Sequence, residues 1–126
     1  MTTTLEKTLS AFYLLNSLNS VRMKSTATSR KLFGLKTLTK PAFEFYQEEE
    51  KKIIEDLGGT IAEDGTIIFS ENQEENFKKL AEGRSELYKS EWEIPIDKPV
   101  IFHDAEGVQV SGNDIEILQG LAEFLE

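Results

Sequence analysis

The one histidine in the chain, His103, is followed at once by Asp104. Such a neighbour would serve a general base only if both groups reached the same atom. On a strand, adjacent side chains point to opposite faces, so the two do not form a catalytic pair. There is no cysteine, which removes a thiolate nucleophile, a thiolate metal site and a disulfide framework. A serine triad would depend on the same lone histidine. Carboxylates are plentiful, and paired carboxylates carry general acid–base chemistry. Yet "QEEEKKIIED" and "ENQEEN" have the make-up of solvated helix faces and of acids at helix N-termini. "DAEG" at 104–107 lacks the alternating acids of a calcium loop and predicts a turn. "GLKTLTKP" is no phosphate loop, since Gly34 has no glycine partner and no Gly-Lys-Ser/Thr follows. These residues predict a protein that is not an enzyme and needs no cofactor or metal.

The aromatic residues point to contact instead of catalysis. Phe43 and Phe45 lie about 200° apart at helical pitch, so both cannot enter one core. One of them is expected at the surface, beside Glu48, Glu49 and Glu50, and these five residues form the candidate interaction surface. Charge is divided along the chain. Residues 1–42 carry a net charge of +6 and residues 43–126 carry −15, giving −9 for all 126 residues. That division fits an acidic protein with an uneven surface, or more specifically a basic protein partner or head-to-tail self-association, and it disfavours duplex nucleic acid as the main ligand.

The elements that must position these residues follow from periodicity. Leu5, Leu9, Phe12, Leu15, Leu18 and Met23 predict a helix over 5–23, capped by Thr4 and weakened at its end by "NSLNS". Leu32, Leu35, Leu38, Ala42, Phe45 or Tyr46, Glu49, Ile53 and Leu57 keep three/four spacing on both sides of Pro41. They predict one continuous, bent helix over 28–57 instead of two helices with Thr39 as the second cap. Gly58-Gly59 ends it, and Asp64-Gly65 between β-branched runs predicts a hairpin with strands 60–62 and 66–69. A helix over 72–89 follows, with the capping-box spacing of Ser70 and Gln73 and an inward face of Phe77, Leu80, Ala81, Leu87 and Tyr88. Trp92, Ile94 and Ile96 alternate on a strand that Pro95 makes an edge strand or ends early, and one or two short strands are expected around "VIF" and "VQV". Asn113 or Ser111 caps a last helix over 114–125, with Ile115, Leu118, Ala122 and Leu125 inward. The fold class is α+β, rich in helix: a long N-terminal helical hairpin, a β-hairpin, a helix, short antiparallel strands and a C-terminal helix. One domain is expected, with residues 1–58 as a helical arm and 59–126 as a small α+β part. No apolar run reaches the length of a membrane span, and "MTTTLEKTLS" predicts no secretion signal.

In the order and spacing of its elements over residues 5–126, the chain resembles small uncharacterised proteins of tailed phages and prophages. The segments that carry the resemblance are "FEFYQEEEKKIIEDLGG", "EENFKKLAEGRSELYKSEWEIPID" and the closing "SGNDIEILQGLAEFL". Pro41 departs from the proline-free long helix of that pattern. The resemblance brings no activity and no site residues. It implies a phage-associated protein of the bacterial cytoplasm or the virion: an accessory or host-modulating binding factor, or else a structural or assembly component.

Overall fold

The computed structural model describes residues 1–103 and 106–126. In chain order the elements are β1 (Thr2–Thr4), α1 (Leu5–Asn19), α2 (Thr26–Asp56), β2 (Gly59–Ile61), β3 (Ile67–Phe69), α3 (Gln73–Lys89), β4 (Glu91–Glu93), β5 (Val100–His103), α4 (Gly112–Ile117) and β6 (Ala122–Leu125). The fold is α+β with helix in the majority.

Thr4 holds an extended conformation and its Oγ1 accepts from the Lys7 amide, which satisfies one of the free N–H groups that open α1. The helix stops at Asn19, four residues before the expected Met23. The Ser20 amide and hydroxyl both turn back onto the Ser17 carbonyl. Serine and asparagine side chains compete for the backbone in this way, and the polar "NSLNS" ends the helix.

Helix α2 starts after Ser25, whose Oγ accepts from the Thr28 amide, and runs unbroken for 31 residues with Pro41 inside it. Its buried line Thr28, Leu32, Leu35, Thr39, Ala42, Tyr46 and Ile54 crosses the proline without losing phase. The two long helices run antiparallel. Leu5 and Leu9 of α1 cluster with Ala42 and Tyr46, whereas Leu15 and Leu18 cluster with Leu32 and Leu35. That contact holds the helix together where Pro41 supplies no N–H. One turn earlier, the Thr39 hydroxyl donates to the Leu35 and Lys36 carbonyls. Pro41 itself is exposed. Pro41→Ala is therefore expected to stabilise the protein by up to about 3 kcal/mol, the difference between proline and alanine inside a helix. A urea midpoint that stays put or falls would show that the ring contributes more than its missing bond costs.

Leu57 caps α2, and Gly58 follows at φ +77°, in the left-handed region. The β2–β3 hairpin is antiparallel with Thr60 opposite Ile68, and Asp64 Oδ1 accepts from the Thr66 amide in the turn. At the start of α3 the expected Ser70 cap does not form. Asn72 takes the cap position with left-handed backbone, and the Gln73 side chain donates back to the Phe69 carbonyl. Asn76 reaches over to the Leu57 carbonyl and fastens α3 to the end of α2. The inward face of α3 is also rotated from the expected one: Leu80 is buried, Leu87 and Tyr88 are half-buried, and Phe77 and Ala81 are exposed. Gly83 lies on the inward side, where an added Cβ would stand 3.0 Å from Ile53 Cδ1.

Trp92, Ile94 and Ile96 do share the inward face, with Ile94 fully buried. The partner of β4 is β1, antiparallel, with Thr3 opposite Trp92. The largest correction lies at the C-terminal end. The expected helix over 114–125 is a six-residue α4 followed by a strand, and that strand, β6, runs parallel to β5 where antiparallel strands were expected. Ser111 does cap α4, in a reciprocal box with Asp114. Gly120 then adopts φ +84°, which a helix cannot continue through. Ile115 and Leu125, expected inward, are exposed, whereas Leu118, Leu121 and Ala122 are buried. "VQV" forms no strand, although Val108 and Val110 still pack against the core. The turn expected at 104–107 and the side chain of Asp104 fall on or next to positions outside the described residues.

The largest core cluster joins Ala11, Leu15 and Leu18 of α1, Leu32 and Leu35 of α2, and Ile94, Phe102, Leu118, Leu121 and Ala122. A separate cluster of Ile54, Phe69 and Leu80 lies where α2, the hairpin and α3 meet.

Candidate functional site

All five residues of the expected interaction surface lie in the C-terminal half of α2, and the structure gives them different surroundings. Phe43 is half-buried, stacked on Phe12 at 4.8 Å between ring centres and edge-on to Tyr13. Phe45 is 39% exposed and leans on Trp92 at 5.3 Å. Phe45 is thus the outward member of the pair. Glu48 is exposed, and Glu49 pairs with Lys52 one turn on. Glu50 is turned inward: its Oε2 accepts from the Tyr46 hydroxyl at 2.7 Å and from Arg84 Nε at 2.8 Å.

Glu50 belongs to a network that residue types alone did not single out. The Tyr46 and Tyr88 rings stack at 5.4 Å, and their hydroxyls lie 3.0 Å apart. Arg84 and Tyr88 come from α3, Tyr46 and Glu50 from α2, so the network ties the two helices together. The i, i+4 spacing of Tyr46 and Glu50 was visible in the sequence; the partners on α3 were not. Burial, then the hydrogen bonds to Tyr88 and Glu50, push the Tyr46 phenol well above its ordinary range, and Tyr13 is raised by burial and by the same two neighbours. Such phenols stay protonated and donate hydrogen bonds. They do not supply a phenolate nucleophile at neutral pH.

The raised Tyr46 value has a consequence at high pH. A group whose acid form is favoured by folding contributes stability below its unfolded pKa, and that stability is lost as pH rises. The wild-type protein is expected to weaken steadily above about pH 10. Tyr46→Phe should be less stable at neutral pH and show a smaller loss on the alkaline side. Parallel alkaline curves for the two proteins would separate Tyr46 from the transition.

A second polar cluster joins α2 to β5. Glu106 accepts from Lys31 Nζ at 2.8 Å, from the Thr28 hydroxyl at 2.8 Å and from the His103 amide, while Lys31 also donates to the Ile101 carbonyl. Those bonds, the Lys31 one foremost, bring the Glu106 carboxyl down to about 2. A lowered carboxylate stabilises above its unfolded pKa and stops doing so as pH falls through the folded value. Stability should therefore decline between pH 4.5 and about 2. Glu106→Gln should flatten that decline, as read from urea midpoints across the window; an unchanged slope would exclude Glu106 as its source.

His103 itself is exposed at the end of β5. A cleft of about 590 Å³ opens between the start of α1 and the α4–β6 turn, with Thr2, Glu6, Lys7, Ser10, Glu116 and Gln119 among its polar groups. Among the described residues no group of three or more His, Asp or Glu is placed to hold a metal ion, and no helix is long and apolar enough to cross a membrane. No protein-family model, curated protein or solved structure matches this chain.

Proposed function

We propose that this chain is a small acidic, non-enzymatic, phage-associated protein that acts by binding another protein. The observation that carries the reading is the Phe45–Trp92 pair: an aromatic side chain of α2, open to solvent, supported by a second ring and adjoined by the exposed carboxylates of Glu44 and Glu48. Aromatic anchors set in a charged rim are the usual energetic centre of a protein interface. The net charge of −15 over residues 43–126 suits a basic partner and speeds its approach. The phage association rests on the resemblance in element order and on the three segments that carry it.

The test is affinity capture from infected cells with wild-type protein and with a Phe45→Ser/Glu48→Lys variant of unchanged circular dichroism. One basic protein held by the wild type and lost by the variant supports the reading. Equal capture by both removes the Phe45 surface from it. Mass spectrometry of purified particles distinguishes a packaged component from a factor left in the cell.

A further inference from the structure

The solvent side of α2 carries a second stripe, on the opposite side of the helix from its buried line. Arg30, Phe33, Gly34, Thr37, Lys40, Pro41 and Glu44 recur at three/four spacing and all are exposed. Phe33 is 60% exposed, the highest value among the exposed large apolar side chains. Arg30, Lys40 and Glu44 have no ion-pair partner among the described residues. Gly34 is costly in the middle of a helix relative to alanine. A Cβ added there would meet nothing within 4 Å, so no contact within the chain asks for glycine.

We propose that this stripe is a self-complementary contact by which two copies of the chain pair through antiparallel α2 helices, with the two-fold axis at Thr37. Charge decides the occupant and its direction. With the axis at Thr37, Arg30 of each copy meets Glu44 of the other. Phe33 lies against Lys40, where a ring face and an ammonium attract, and the Pro41 ring lies over the space that Gly34 leaves open. Each of these six residues finds a complement, and each contact occurs twice, as an isologous interface requires. A parallel pair would set Arg30 on Arg30 and Lys40 on Lys40, and is disfavoured. The Arg30–Glu44 span is about 21 Å of helix, a small contact held largely by charge, so the dimer is weak and salt-sensitive. The inference goes beyond the proposed function, because it uses the stripe around Thr37 and not the Phe45–Trp92 pair.

Sedimentation equilibrium of the full chain tests it. Wild-type protein should show a monomer–dimer equilibrium that shifts to monomer as salt is raised. Arg30→Glu alone and Glu44→Arg alone should each weaken the dimer about tenfold, since two exposed attractive pairs become repulsive. The double variant Arg30→Glu/Glu44→Arg should return close to wild type. Gly34→Leu should fold at least as well and remain monomeric, whereas Phe45→Ser should dimerise normally. A wild-type protein that is monomeric at every concentration overturns the proposal and leaves partner binding by Phe45 standing. A double variant that fails to recover, or a dimer lost with Phe45→Ser, overturns it as well.

Discussion

Phe102→Ala lowers the free energy of unfolding by about 3–5 kcal/mol, the range for removing a fully buried aromatic ring. Phe102 is 1% exposed, lies in the largest core cluster and stacks on Phe124, its register partner across the parallel β5–β6 pair. Lys31 Nζ also lies over the ring, 5.4 Å from its centre. The ring therefore links α2, β5 and β6, and a two-stranded sheet has little else to hold it. Domains of this kind have about 5–15 kcal/mol in total, so the variant loses a large share. Urea unfolding followed by far-ultraviolet circular dichroism measures the loss, and Phe102→Leu should cost clearly less. Equal, small effects for both variants would mean that the β5–β6 pair contributes little to the folded state.

Leu80→Ala should cost about 2–5 kcal/mol, but in a different place. Leu80 is 1% exposed and packs with Ile54 and Phe69, backed by Ile53, Leu57 and Ile67. This cluster is separate from the one around Leu15 and Leu35. The variant should therefore open the hairpin and the start of α3 before the helical pair. Amide exchange should quicken most in β2 and β3 and least in α1. Uniform acceleration over all elements would show that the two clusters unfold as one unit.

Much of this architecture was legible because local pattern and tertiary contact agree. The apolar stripe of α2 has the same phase before and after Pro41, and antiparallel packing on α1 rewards keeping it so. Thr4, Ser111 and Asp64-Gly65 acted as their types suggest. The larger misreadings share a cause, which is that the deciding partner is distant in sequence, whereas the early end of α1 and the cap of α3 are set by neighbours three or four residues away. Thr2–Thr4 is β-branched but too short to be read as a strand on its own; residues 91–93 lying beside it make it one. Ile115, Leu118, Ala122 and Leu125 fit a helical period. The backbone nevertheless turns at Gly120, and the last residues pair with β5 instead. At the candidate site, the incompatibility of Phe43 and Phe45 was readable, and the structure makes Phe45 the outward one. That Glu50 would turn away from the surface was not readable, since Arg84 and Tyr88 arrive from another helix.

The β1–β4 ladder bears on how the chain is made. Thr3 leaves the ribosome almost 90 residues ahead of Trp92, its register partner. Leu15 and Leu18 likewise precede Phe102 and Leu121, with which they share a core. During synthesis the antiparallel helical pair can close first, since its contacts are the nearest in sequence. Its apolar side then stays uncovered until Ile94, Phe102, Leu118 and Leu121 appear. Long-range pairing of this kind slows folding and leaves sticky surface in the meantime. The core side of the α1–α2 pair is thus covered only once residues 94–122 have been made, and Phe102, Leu118, Leu121 and Ala122 complete it.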